Sequence, residues 1–131
     1  MKNRYLIIFI IAFILNFIWE NAHSFLYVHY QNQKITEFIL LRAAIVDAVI
    51  ITIMAVFFSL IPFLKKRKWL SLVFGILIAI GMEWYALSTG RWSYNSLMPI
   101  IPFINTGLTP TLQLGVLAYI TFYLARNKKP Q

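Results

Sequence analysis

Four long apolar runs, each broken by one or two polar residues, divide the chain. Tyr5 to Tyr27 is apolar except for Asn16 and a polar patch at Glu20-Asn21-Ala22-His23-Ser24. Ile39 to Leu64 contains Arg42, Asp47 and, near its end, Pro62. Trp69 to Ser88 contains Glu83, and Leu108 to Ala125 carries threonines and Gln113. A membrane-spanning helix needs about 20 such residues. The pattern therefore predicts an all-α, four-helix antiparallel bundle forming one transmembrane domain over residues 1–131. Its expected helices are 5–27, 39–64, 69–88 and 108–125. The last is short, so it is expected to cross steeply or to start inside the interface.

Between helices 3 and 4, the residues from Ser88 to Gly107 form a long outer loop. Within it, Leu97 to Ile104 is apolar but too short to span and is broken by two prolines. It is expected to lie in the interface or to dip back as a lid. Trp92 and Tyr94 suit an aromatic belt.

Composition leaves the bilayer as the only adequate solvent. Sixty per cent of the residues are apolar and 12% are charged, and mean hydropathy is +0.73. A chain of 131 residues cannot hide that much apolar surface in a water-soluble core. With no cysteine, disulfides, thiolate metal sites and a cysteine nucleophile are excluded. A net charge of +8 would suggest nucleic acid in a soluble protein. Here the basic residues crowd the ends of apolar runs, which points to headgroups and topology instead. Placing the N-terminus inside puts nine of the twelve basic residues on the cytoplasmic side and leaves Lys34, Arg42 and Arg91 opposite. The expected location is the cell membrane, multi-pass, with both termini cytoplasmic. A competing reading makes the first run a secretory signal cut after Ala22-His23-Ser24. The length of the run and Trp19-Glu20 favour a span.

Three of the four acidic residues fall inside predicted spans: Glu20, Asp47 and Glu83. At about 1.5 Å rise per residue, each lies roughly 8–12 Å below the outer end of its helix. Ionisable groups at such depth are costly and usually face the bundle interior or a watery cavity. The helical faces agree. Asn16, Glu20, His23 and Tyr27 make one polar stripe on helix 1, and Asn16, the deepest, needs a partner. Gly75, Ala79, Glu83, Ala86 and Gly90 make a small-residue face on helix 3. Ala44, Ala48, Ala55 and Ser59 do the same on helix 2, with Asp47 at the margin. Thr109, Thr111 and Gln113 bring helix 4 to the same level.

A shared pocket is the expectation, with Glu20, Asp47 and Glu83 as candidate catalytic acids. Asn16, Trp19, His23, Trp84, Arg91, Trp92 and Gln113 are the candidate ligand-binding residues. Clustered carboxyls can hold a proton between them, and tryptophan faces stabilise cations. Acid plus aromatic wall suits protonation of an isoprenoid double bond, binding of an organic cation, or proton-coupled transport. Glu20 and His23 also have the Glu-x-x-His spacing of di-iron carboxylate helices. That motif occurs twice in those proteins and once here, so no metal ligand is assigned. The bland alternative is that Asp47 pairs with Arg42 or Arg91, and Glu20 with His23, as structural ion pairs.

At Glu83-Trp84-Tyr85, Gly90-Arg91-Trp92-Ser93-Tyr94 and Met98-Pro99-Ile100-Ile101-Pro102, the chain resembles small prokaryotic integral membrane proteins of uncharacterised function. The same residues are similar to carotenoid-pathway membrane enzymes, whose helices pair an acidic residue with a Gly-x-Trp-x-Tyr-like exit. The likeness is confined to these residues, and no catalytic residue is carried over from it. It implies isoprenoid chemistry.

The leading expectation is a pocket for a lipid-phase or amphiphilic ligand, with acid-catalysed lipid chemistry. Membrane lipids and a hydrophobic small molecule are the expected partners, and nucleic acid is not. No cofactor is identified. The alternatives are a small cation- or proton-coupled transporter subunit, for which four short spans point to a homo-oligomer, and a structural membrane subunit.

Overall fold

The computed structural model describes residues 2–30 and 33–126. The four expected helices are present as α1 (Lys2–His23), α2 (Glu37–Leu60), α4 (Leu70–Ser88) and α5 (Leu108–Arg126). All four are long and apolar enough to cross a membrane. A short α3 (Pro62–Lys65) follows α2. The bundle is solvated by apolar surroundings rather than by water. Leu6, Ile10, Ile14 and Ile18 form an exposed apolar stripe on α1, while Asn16 and His23 on other faces are buried. This inverts the pattern of a soluble helix.

Local chemistry sets the helix ends. Thr36 caps α2, its Oγ1 accepting from the Ile39 amide at 3.4 Å. The second apolar run was expected to be helical to Leu64, but α2 stops at Leu60. Ile61 precedes a proline and is extended (φ −99°, ψ 114°), because the ring of Pro62 disfavours the helical region for the residue before it. Helix 1 is also shorter than expected. The chain leaves α1 at His23, makes one 3₁₀ turn at Ser24–Leu26, and becomes strand β1 (Tyr27–Tyr30).

The helices pack as two tight pairs, α1 with α2 and α4 with α5, joined where α1 meets α5. In the α4–α5 pair the backbones touch. A Cβ built on Gly75 would stand 2.3 Å from the Gly115 Cα, and one on Gly115 would stand 2.4 Å from the Leu72 carbonyl oxygen. Only two glycines permit that crossing. Between the pairs, α2 and α4 approach through the Phe58 and Phe74 rings, 5.8 Å apart, and Phe58 also meets Phe122. These aromatics close one end of the bundle, where α1 begins and α5 ends.

The long connection at the other end is more ordered than a loose lid. Strand β2 (Trp92–Tyr94) pairs antiparallel with β1, matching Tyr27 with Tyr94 and Tyr30 with Trp92, with an irregularity after Tyr27. This ladder ties the exit of α1 to the exit of α4. Gly90 makes the turn between α4 and β2 at φ +74°, a conformation that suits glycine. The apolar Leu97 to Ile104 segment contains β3 (Ile100–Ile101), which folds onto β4 (Thr106–Gly107). Phe103, at the tip of that turn, is fully exposed.

Candidate functional site

Of the polar groups expected to share one level, Asn16, Glu20 and Asp47 meet at Gln113. From the first turns of α5, its Nε2 donates toward Glu20 Oε2 (2.8 Å), Asn16 Oδ1 (3.0 Å) and Asp47 Oδ2 (3.1 Å). An amide nitrogen carries two protons, so three acceptors exceed what it can satisfy. Asn16 is fully buried beneath this cluster and anchors it, donating to the Ala12 carbonyl at 2.8 Å. At its other edge, Glu20 Oε1 lies 3.4 Å from His23 Nε2, and His23 Nδ1 lies 2.9 Å from Thr109 Oγ1. Each nitrogen of the ring thus faces an oxygen, which fixes the orientation of the imidazole beside Glu20.

Glu83 is held differently, by aromatic donors from the strand that follows its helix. Trp92 Nε1 donates to Glu83 Oε1 at 3.1 Å and the Tyr94 hydroxyl donates to the same oxygen at 2.5 Å. Residues two apart on a strand share a face, which is how both reach one carboxylate. Tyr94 also accepts from the Gly107 amide at 3.0 Å, locking β4 to the site. Burial, then the Glu83 charge, raises the Tyr94 phenol above its ordinary value, so it remains a donor. Burial and the same carboxylate push the Tyr27 phenol up as well. The Tyr27 ring packs edge-on against His23, Trp92 and Tyr94 with centroids 5.4–6.2 Å apart. Together these rings roof the site.

A cavity of about 370 Å³ lies among these groups, and Glu20, Asp47, Glu83 and Gln113 all line it. Its side is formed by Ala43 and Val46 of α2 and by Ala79 and Met82 of α4, two helices that do not pack as a pair. Val46 remains 47% exposed, so this wall is thin. Arg42, Arg91 and Trp92 complete the lining toward the loops.

Of the ten residues singled out from the sequence, six line the cavity: Glu20, Asp47, Glu83, Arg91, Trp92 and Gln113. Asn16 and His23 sit behind them as hydrogen-bond partners. Trp19 touches the His23 ring edge-on, and its buried Nε1 has no hydrogen-bond partner among the described residues. Trp84 is half exposed and donates to the Ile104 carbonyl at 2.7 Å, away from the cavity. Adjacent helical residues point about 100° apart, so Glu83 facing inward turns Trp84 outward. Among the described residues no three histidine, aspartate or glutamate side chains converge as metal ligands. Tyr27, Arg42, Tyr94 and Thr109 are site residues that were not among those ten. The Trp-Ser-Tyr alternation is the signal that would have found Tyr94.

Comparison with protein-family models, with curated proteins and with solved structures finds no match.

Proposed function

We propose that the cavity binds a lipid-phase amphiphile that enters from the bilayer between α2 and α4, and that its carboxyls act on that ligand as acids. The observation carrying this reading is that three carboxyls from three helices line one open cavity, Glu20 and Asp47 gathered on Gln113 and Glu83 held apart by Trp92 and Tyr94. The crowding of both carboxyls on one amide nitrogen supports an acid proton shared by Glu20 and Asp47. The group matching this equipment is an isoprenoid double bond. The shared proton adds to one alkene carbon and leaves a tertiary carbocation at the other. The Trp92 and Tyr27 faces and the Glu83 carboxylate stabilise that charge. Loss of a proton from a neighbouring carbon back to the carboxylate pair yields an isomerised or cyclised alkene and restores the acid. The resemblance of the Glu83 to Pro102 residues to carotenoid-pathway enzymes points the same way.

The basic ends of the runs support a cell-membrane topology with both termini cytoplasmic and the cavity in the outer half. Single cysteines at Lys66 and Ser96, introduced into the cysteine-free chain, should then label from opposite sides of intact cells.

The functional test is reconstitution with polyprenyl lipids in deuterated water. Wild type should bind the lipid and incorporate deuterium at carbon. Glu83→Gln and Asp47→Asn, verified as folded, should lose most of that incorporation. Variants that bind and convert lipid as wild type does would rule the proposal out.

A further inference from the structure

The opposite end of the bundle concentrates charge of the other sign around a separate cleft. Arg4 of α1, Lys65 of α3 and Lys68 before α4 line it, over a floor of Phe58, Ser59 and Phe122. The cleft holds about 30 Å³, room for one or two water-sized groups. Arg4 Nε is buried there without a hydrogen-bond partner among the described residues. None of the four acidic side chains of the chain is near: Glu20, Asp47 and Glu83 line the other cavity, and Glu37 opens α2 at that same end. Cations from α1, α3 and the turn before α4 thus converge with no carboxylate of the described residues between them, an arrangement that like-charge repulsion opposes.

We infer that this cleft is a phosphate site, the missing partner being the phosphate of an anionic lipid headgroup or free phosphate of the same chemistry. A compact tetrahedral anion matches the donors. Arg4 offers a planar fork including its unpartnered Nε, while Lys65 and Lys68 offer point charges. The small volume admits phosphate oxygens and little else. The aromatic floor and the position at the helix ends favour a lipid, whose chains would run down the apolar exterior. The Lys68 ammonium supports the need for an anion: burial, then Arg4, Arg126 and Lys65, lower its pKa from the usual lysine value. Nothing here depends on the carboxylate cavity, so either reading can fail alone.

The test uses the full chain in detergent and in nanodiscs. Probes are phosphatidic acid against phosphatidylcholine, and inorganic phosphate against chloride at equal ionic strength. Binding is read by native mass spectrometry and by thermal melting. Phosphatidic acid should bind in preference to phosphatidylcholine and raise the melting temperature. Arg4→Gln and Lys68→Gln should each weaken that binding about tenfold or more, the usual loss for a charge-assisted contact. Lys66→Gln, which removes the same charge outside the cleft, should cost about twofold. Without any phosphate, Lys68→Gln should melt above wild type, since repulsion is relieved, and phosphatidic acid should reverse that order. That crossover keeps the test decisive if Arg4→Gln folds poorly. Protection by phosphatidic acid alone identifies the lipid as the source; protection by inorganic phosphate as well shows that the free anion suffices. Equal losses in Lys66→Gln and Lys68→Gln, or protection by chloride equal to that by phosphate, would overturn the inference.

Discussion

The two ends of this bundle solve the problem of buried polarity in opposite ways. At the cavity end the chain supplies its own partners. Gln113 donates to acceptors on α1 and α2, and Trp92 and Tyr94 donate to Glu83. At the basic end the aromatics Phe58, Phe74 and Phe122 close the core, while Arg4, Lys65 and Lys68 surround a cleft without a counter-charge from the chain's acidic side chains. The difference teaches that polarity is organised internally where the space is large and left to an outside anion where it is small. One end is a site with its ligands for protons built in; the other is a socket.

The sharpest way to break this contrast is to remove the internal donor. Gln113→Leu strands acceptors on Asn16, Glu20 and Asp47, each worth about 1–3 kcal/mol when buried unsatisfied. A loss of about 3 kcal/mol or more is expected in denaturant-induced unfolding. A variant as stable as wild type would show that the cluster is not held by the amide.

Next in size is the joint on which both ends depend. Gly115→Ala drives a methyl into the Leu72 carbonyl, 2.4 Å from the ideal Cβ. Overpacking of this kind costs about 1–3 kcal/mol. Cavity ligand and headgroup anion should weaken together in that variant, whereas Gln113→Leu should spare the anion.

Alkaline pH should separate the ends by sign. The Tyr27 and Tyr94 phenols are raised above 10.0 when folded. Their contribution is therefore intact below about pH 10 and declines above it, as the unfolded phenols ionise first. Lys68 is lowered from 10.5 when folded. Its penalty is complete below the lowered value and is relieved as pH rises toward 10.5. Melting temperature against pH, without phosphate, should thus rise and then fall. Lys68→Gln should flatten the rising limb, and Tyr94→Phe should soften the fall.

The smallest effect is expected near the basic end. Tyr5→Phe deletes one bond, from its hydroxyl to Ser59 Oγ at 2.7 Å, and should cost about 0.5–1.5 kcal/mol. A larger loss would mean that this end also relies on internal hydrogen bonding.

Much of the fold was legible because a bilayer writes itself into sequence as length and periodicity. The four spans, the small-residue faces and the common depth of Glu20, Asp47 and Glu83 all follow from a 1.5 Å rise and a 3.6-residue turn. Legibility ended where contacts became non-local. No period announces that Tyr27 pairs with Tyr94 across more than sixty intervening residues, or that Gln113 is the hub and not a bystander. Trp84 looked inward because it adjoins Glu83, yet helical geometry turns it out toward Ile104. The basic run at Lys65 to Lys68 reads in sequence as a topology signal and a contact for anionic headgroups. Its role in a cleft depends on Arg4 arriving from the other end of the primary structure.

The position of Gln113 on the last helix bears on how the protein is made. Spans enter the membrane in order, so Glu20 and Asp47 are committed to it before the amide that joins them has been synthesised. Until α5 docks, the nascent chain must keep those carboxyls protonated or hydrated. A ribosome-stalled or truncated product lacking α5 is therefore a membrane protein with exposed intramembrane acids, the kind of defect that quality-control proteases can recognise. The final helix supplies the donor that gathers the polar side chains of the first two.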